Sequence, residues 1–91
     1  MSLPPEIIEV NGTKHWYIND KRHREDGPAI EYANGRKEWY LNGKLHREDG
    51  PAIISADGRK EWYLYGNKIK YNPATWNRKV KENQVKNIMN T

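Results

Sequence analysis

Residues 34–56 read NGRKEWYLNGKLHREDGPAIISA and residues 11–33 read NGTKHWYINDKRHREDGPAIEYA, so the two stretches match at 16 of 23 positions without a gap. Residues 57–66, DGRKEWYLYG, match residues 34–43 at 8 of 10 positions. Pro5 and Ile7 stand 23 residues before Pro28 and Ile30. A fixed period of this length indicates a repeat protein in which each unit packs against its neighbours.

Each unit contains signals for two strands and two tight turns. One strand is predicted after Gly-Pro, and the next after Asn-Gly or Asp-Gly at 11–12, 34–35 and 57–58. These dipeptides favour a two-residue turn of type I′, because both central residues need positive φ. A second set of turns is predicted at Asn19-Asp20, Asn42-Gly43 and Tyr65-Gly66. We therefore expect a mainly β fold made of stacked antiparallel hairpins in a single sheet.

A two-residue turn also predicts the register of each hairpin. It gives three pairs at the same spacing, Ile7–Trp16, Ile30–Trp39 and Ile53–Trp62. Directly opposed residues share a face of the sheet, so these pairs predict an apolar stripe. On the opposite face the same register places Glu31 against Glu38, which is unfavourable unless water reaches both carboxylates.

The C-terminal tail predicts a helix. Asn72-Pro73 combines an N-cap residue with proline at the first helical position, and residues 73–89 contain no glycine and no further proline. The apolar residues of this segment form an imperfect stripe, namely Trp76, Val80, Val85, Ile88 and Met89. We expect a single domain over residues 1–91, with β repeats at 5–66 and a helical cap at 67–91 that packs Trp76 and Val80 near Trp62 or Tyr65.

Composition and charge narrow the function. The chain has no Cys, which excludes disulfides and Cys-based zinc sites, and it contains no apolar run of membrane-spanning length. Residues 1–67 carry 10 Lys+Arg and 11 Asp+Glu, whereas residues 68–91 carry six Lys+Arg and one Glu. The net charge of +4 therefore comes from the tail. We expect a cytoplasmic protein.

The unit resembles the MORN repeat in Trp39, Asn42-Gly43-Lys44, His46 and Asp57-Gly58. It is more similar to a MORN-like variant found in tailed bacteriophages and large DNA viruses, whose units carry the string His-Arg-Glu-Asp-Gly-Pro-Ala, present here at 23–29 and 46–52. The resemblance covers residues 5–66. It implies hairpins stacked into an elongated sheet that is used for protein or lipid contacts, with a short helical tail. The variant departs from ordinary MORN repeats by its longer Arg-Glu-Asp segment before Gly-Pro, and we expect no membrane partner.

The repeated His-Arg-Glu-Asp segments, 23–26 and 46–49, are the first candidate site. A catalytic interpretation uses the histidine as a base that a carboxylate orients. A segment repeated at the structural period more often serves architecture. In that interpretation Asp26 and Asp49 hold the turn before Gly-Pro, while His and Arg pair with carboxylates of the neighbouring unit. We expect no enzyme activity.

Metal binding is the second candidate, because His15, His23 and His46 could act as ligands together with carboxylates. The chain lacks HxH and HxxxH spacings, and Ile69 stands where a third repeated histidine would fall. We expect no metal and no cofactor.

Binding is the preferred function. We expect a protein–protein interaction module, in the viral context an accessory protein that binds and inhibits a host enzyme or defence factor. The alternative is a nucleic-acid-binding protein that uses tyrosines and the basic tail. The chain should be a monomer or a weak dimer, with Glu6–Val10 as an exposed edge strand that Pro4 and Pro5 guard only at its start. The candidate partner-binding residues are Tyr17, Tyr40, Tyr63, Arg24, Arg47, Arg78, Lys79 and Lys86.

Overall fold

The computed structural model describes residues 4–89, within which ten short strands are followed by one helix, α1, at Trp76–Met89. The strands are β1 Glu6–Val10, β2 Thr13–Ile18, β3 Lys21–Arg22, β4 Ile30–Glu31, β5 Lys37–Glu38, β6 Tyr40–Leu41, β7 Lys44–Leu45, β8 Ile53–Ile54, β9 Lys60–Leu64 and β10 Asn67–Ile69. The fold is mainly β with one C-terminal helix, as the repeat predicts.

One antiparallel sheet runs through the whole array. Its strands lie in the order β1-β2-β4-β5-β8-β9-β10, with β3 paired to β2, while β6 and β7 form a separate two-stranded ribbon. The molecule is a slab of 38 × 36 × 17 Å. The repeats therefore lie side by side, and β1 and β10 lie at opposite ends of the sheet.

The first hairpin and the second set of turns have the predicted geometry. Asn11 and Gly12 have φ values of 52° and 81°, and Ile7 lies opposite Trp16. Positive φ also occurs at both central residues of the later turns, Asn19-Asp20, Asn42-Gly43 and Tyr65-Gly66. Asn, Asp and Gly tolerate the left-handed region, whereas a tyrosine with a φ of 49° is an outlier that its surroundings must hold in place.

The predicted register of the other two long hairpins is wrong by one residue. Ile30 lies opposite Glu38, and Ile53 lies opposite Glu61, so neither isoleucine faces a tryptophan directly. The cause is a three-residue loop, which is closed by a hydrogen bond from the Tyr32 amide to the Arg36 carbonyl. The side chain of Asn34 accepts the Arg36 amide at 3.0 Å. That bond favours an Asx turn over type I′.

The same shift removes the predicted opposition of Glu31 and Glu38. Glu31 lies opposite Lys37, and Glu38 is buried between Ile30 and Ile53. The Glu38 carboxylate accepts hydrogen bonds from Arg36 Nε at 2.7 Å and from the Tyr40 hydroxyl at 2.9 Å, which offset the cost of burying its charge. These contacts make Glu38 a polar centre of the second unit.

The apolar core is small and comes largely from the repeated Ala-Ile segment. The buried apolar residues are Trp16, Ala29, Ile30, Ala52, Ile53, Leu64 and Trp76. Trp39 and Trp62 are half-buried. So small a core must be supplemented by polar contacts between units.

The helix differs from its prediction in where it begins and in which residues it buries. It begins at Trp76 and not at 73, because Asn72 caps a turn: its side chain accepts the Ala74 amide at 2.9 Å and its carbonyl accepts the Thr75 amide. The predicted apolar stripe is wrong beyond Val80, since Val85, Ile88 and Met89 are exposed.

Candidate functional site

The arginine of each His-Arg-Glu-Asp segment folds back over a tryptophan. Arg24 Cζ lies 4.1 Å from the centroid of the Trp16 ring, and the guanidinium donates to Asp26 Oδ1 at 2.9 Å and to the Pro28 carbonyl at 3.2 Å. Gly27 allows this approach, because a Cβ atom there would lie 3.0 Å from Arg24 Cζ. A cation held against an aromatic face and bonded to a carboxylate stabilises the loop in one conformation.

The second copy repeats this geometry. Arg47 Cζ lies 4.0 Å from the Trp39 centroid, and the guanidinium donates to Asp49 at 3.0 Å and to the Pro51 carbonyl at 3.1 Å. In both copies the carboxylate partner belongs to the same unit. The expected pairing of arginine with carboxylates of the neighbouring unit is therefore wrong, and each aspartate holds its loop through the arginine.

Histidine provides the link between units. His23 Nδ1 accepts the Asn42 amide at 2.9 Å, and His46 Nδ1 accepts the Tyr65 amide, also at 2.9 Å. Each bond joins a histidine to the first residue of a positive-φ turn 19 residues later. Because Nδ1 accepts, the neutral ring carries its proton on Nε2, which in His46 lies 3.0 Å from Glu48 Oε2.

This geometry argues against the catalytic interpretation. Burial lowers the pKa of the His46 imidazole, and its hydrogen bond to Glu48 only partly opposes that effect. One ring nitrogen is occupied by a backbone amide and the other by a carboxylate. No ring nitrogen is left to take a proton from a substrate, so the observed role of His46 is to join units.

Glu48 is the centre of the contact between the repeats and the helix. Its carboxylate accepts hydrogen bonds from His46 Nε2, from the Tyr65 hydroxyl at 3.4 Å and from Gln84 Nε2 at 3.2 Å. Its main-chain carbonyl accepts Trp76 Nε1 at 2.6 Å. The equivalent Glu25 lies 3.6 Å from the histidine of its own unit, and its side chain is 84% exposed.

The third unit replaces the arginine contact with an aromatic one. Tyr71 stacks on Trp62 with a centroid distance of 4.2 Å, and Trp76 meets the edge of Tyr71 at 5.7 Å. Trp76 thus reaches Trp62 through Tyr71, close to the predicted position of the cap. Tyr71 remains 42% exposed.

The repeated tyrosines are less available than the sequence suggests. Arg22 Cζ lies 5.8 Å from the centroids of both Tyr17 and Tyr40, and the Tyr40 hydroxyl is bonded to Glu38. Burial, followed by Glu38, raises the pKa of Tyr40 to about 12. Tyr63 is half-buried opposite Lys68. Of the predicted arginines, Arg47 uses its donors within its own loop, whereas Arg24 also donates to the Glu31 carboxylate of β4 at 2.8 Å.

The predicted tail cations separate into two groups. Arg78 lies 3.5 Å from Glu82 on the exposed part of the helix. Lys79 and Lys86 line a cleft of about 440 Å³ between β10 and α1, together with Lys68 and Lys70. Lys68 and Lys70 were not among the candidate binding residues predicted from the sequence. The third unit lacks the His-Arg-Glu-Asp string, and this loss is the signal that marks residues near 69 as different.

The edge strand β1 is a further surface. Within residues 4–89 it pairs only with β2, and all five of its residues are exposed. Three of them are large apolar residues, Ile7, Ile8 and Val10. The sequence predicted that this strand stays available, and the structure places it at the end of the sheet.

Two classes of site are not found among residues 4–89. That range contains no group of three or more His, Asp or Glu side chains arranged to hold a metal ion. Its single helix is neither long nor apolar enough to cross a membrane.

No protein-family model, curated protein or solved structure matches this chain. The resemblance to MORN-like repeats therefore stays a prediction, and the argument for function depends on the geometry above.

Proposed function

We propose that this protein is a non-enzymatic protein–protein interaction module that adds a strand of its partner to β1. The main support for the proposal is the exposure of β1. All residues of this edge strand are exposed, and three of them have large apolar side chains. Natural sheets usually blunt such an edge, so an edge left open indicates a pairing site.

The direction of the main-chain groups supports strand addition. The Trp16 amide donates to the Ala29 carbonyl on the side of β2 that faces away from β1. Ile7, which lies opposite Trp16, therefore points its own N–H and C=O groups outward, and Glu9 does the same two residues later. Pro5 has no amide donor at the next outward position. The edge thus offers two donors, at Ile7 and Glu9.

The side chains favour a particular partner strand. Ile7 and Glu9 share one face of β1, and Glu6, Ile8 and Val10 share the other. An incoming strand with apolar side chains and with Lys or Arg opposite the glutamates matches both faces. The resemblance to viral MORN-like proteins supports a host enzyme or defence factor in the host cytoplasm as the owner of that strand. In the absence of the partner the chain should be a monomer or a weak dimer.

A comparison of two substitutions at one position tests the proposal. Ile7→Pro removes an outward amide donor but leaves the hydrogen bonds to β2, whereas Ile7→Thr keeps the donor and loses apolar surface. Affinity capture from host lysate should recover a protein with the wild type and, at reduced yield, with Ile7→Thr, but not with Ile7→Pro. A partner that Ile7→Pro retains at an unchanged melting temperature would show that binding occurs elsewhere.

A further inference from the structure

The helix presents a charged face to the sheet. The walls of the cleft between β10 and α1 carry four lysines: Lys68 from the strand, Lys70 directly after its end, and Lys79 and Lys86 from the helix. The one carboxylate in the lining is Glu82, and Asn83 is the buried residue at the centre of the helix face. A helix that caps a sheet normally packs its apolar side against the strands.

Here that arrangement is reversed. Val85 and Met89 are exposed, while Lys79 and Lys86 face the strand across open space. Apolar burial therefore contributes little to the contact along this part of the helix. Lysines brought together on two walls repel one another, and the repulsion is relieved when an anion enters between them.

Most of this positive charge is not neutralised within the protein. Lys68 forms an ion pair with Glu61 at 3.0 Å, and Glu82 lies 3.5 Å from Arg78. Within residues 4–89, Lys70, Lys79 and Lys86 take part in no ion pair. Three unpaired ammonium groups at one cleft provide the attraction that phosphate groups require.

The spacing of the lysines suits a chain of phosphates more than a single anion. Lys79 and Lys86 lie roughly 10 Å apart along the helix axis, at 1.5 Å per residue. Lys68 in β10 and Lys70 just beyond its end lie roughly 7 Å apart, at about 3.3 Å per extended residue. The charge is therefore spread along the length of the cleft and lies on both of its walls.

An exposed aromatic residue, Tyr71, lies between the first two of these lysines and the helix lysines in the chain. Tyr71 follows Lys70, rests on Trp62 at 4.2 Å and is 42% exposed. Arg22 lies against the rings of Tyr17 and Tyr40, whereas no arginine within residues 4–89 lies against the ring of Tyr71. A cationic groove and an exposed, well-supported aromatic ring next to it in the chain are the two parts with which proteins bind single strands, because the groove follows the phosphates and the ring stacks on a base.

We propose that the cleft between β10 and α1 binds single-stranded nucleic acid, with phosphates between the lysines and a base stacked on Tyr71. This activity is independent of the proposed partner strand, because β1 lies at the opposite end of the sheet. Failure of one proposal leaves the other standing.

The role of the lysines is tested by measuring the affinity of the protein for labelled oligo-dT and oligo-U of about 12 nucleotides, and for a matched duplex, by fluorescence anisotropy. The double variant Lys79→Gln/Lys86→Gln removes two cleft lysines. Its control, Lys60→Gln/Lys81→Gln, removes the same charge at two exposed lysines outside the cleft lining. The cleft variant should bind about tenfold or more weakly, and its plot of log K against log salt should be shallower by about 1.4, because each lost contact with a single strand removes about 0.7.

Tyr71 provides a second, separate measurement. Tyr71→Phe keeps the ring and should bind like the wild type, whereas Tyr71→Leu should weaken binding by about fivefold or more, the loss of one stacked base. The DNA and RNA probes identify which strand is preferred. The proposal is overturned if the wild type does not bind single strands at about 50 mM salt, if the duplex binds more tightly than the single strands, or if the cleft and control variants lose equal affinity.

Discussion

At residue scale, Gly50 shows how closely the loop is packed. A Cβ atom at this position would lie 2.7 Å from Arg47 Cζ, a separation that ordinary contacts do not allow. Gly50→Ala should therefore displace the guanidinium from Trp39 and from the Pro51 carbonyl. We expect a loss of about 1–3 kcal/mol in the free energy of unfolding, measured by chemical denaturation.

A double-mutant cycle identifies the cause of that loss. Once Arg47→Ala has removed the crowding, Gly50→Ala should cost little, or should stabilise the protein by restricting the unfolded chain. If Gly50→Ala costs the same in both backgrounds, crowding by Arg47 is not its mechanism.

His46 makes stability depend on pH. Burial lowers the folded-state pKa below the ordinary value of 6.5, so the unfolded chain binds the proton more readily. The stability that neutral His46 provides is complete above pH 6.5 and is lost as the pH falls through the folded-state pKa. Protonation also removes the Nδ1 acceptor of the Tyr65 amide.

Denaturation curves between about pH 7.5 and pH 5 check this expectation. The free energy of unfolding should fall with pH in the wild type and fall less in His46→Gln. Asp26 and Asp57 act in another pH window: the hydrogen bond from Arg24 lowers the pKa of Asp26, and the Arg59 amide lowers that of Asp57. The stability that the two carboxylates provide is complete above the ordinary pKa of 3.8 and is lost only as the pH falls below it, so it stays constant over the range of these curves. Parallel curves for the wild type and His46→Gln would contradict the assignment.

At the scale of elements, Glu48 should control the docking of α1. Glu48→Ala removes the carboxylate that accepts His46 and Gln84, and the unpaired groups should cost about 1–3 kcal/mol. Hydrogen exchange should become faster in Trp76–Met89 while the central strands keep their protection. The matched control is Glu25→Ala, which stands at the same position of the preceding unit with an exposed side chain. Equal effects of the two substitutions would mean that Glu48 does not anchor the helix.

The turns show what a sequence reveals about its elements. Asn-Gly at 11–12 and at 42–43 forms the two-residue turn that the dipeptide favours. The same dipeptide at 34–35 forms a three-residue loop, because the side chain of Asn34 accepts the Arg36 amide. The Asn-Gly dipeptide therefore predicted the presence of a turn at each of these three places, but the flanking contacts decided the register.

The sequence predicted that a helix is present, but it did not predict which of its residues are buried. The N-cap signal at Asn72-Pro73 located its beginning to within one turn. The apolar spacing predicted a buried stripe as far as Met89, which is in fact exposed. The buried face is instead fixed by polar contacts to Glu48, and a hydrophobic pattern contains no information about such contacts.

At the scale of the whole molecule, the helical tail should protect the end of the array. Deletion of residues 73–91 removes Trp76 from Tyr71 and from the Glu48 carbonyl, and it uncovers the aromatic residues next to β10. We expect a lower melting temperature and concentration-dependent aggregation, measured by calorimetry and light scattering. A truncated protein that stays monomeric at the wild-type melting temperature would show that the tail is not a cap.

The candidate sites depend on features that emerge only after the units are placed side by side. The repeated histidines and arginines were recognisable from the sequence, and an architectural role was expected for them. Their partners were not, because the bond from His46 to the Tyr65 amide joins residues 19 positions apart through a turn of the next unit. The lysine cleft requires the position of the helix, which no local pattern supplies.

The number of repeat units also sets the distance between the two ends of the sheet. The unit at 34–56 contributes β5 and β8 to the continuous sheet, and neighbouring strands lie about 4.8 Å apart, so each added copy lengthens the slab by roughly 10 Å. His23 and His46 each bond to a turn 19 residues later, so whole units of 23 residues are the insertions that preserve these links. Duplication or loss of a unit would therefore change the separation between the open edge and the helical end in fixed steps, while the chemistry of each end stayed the same.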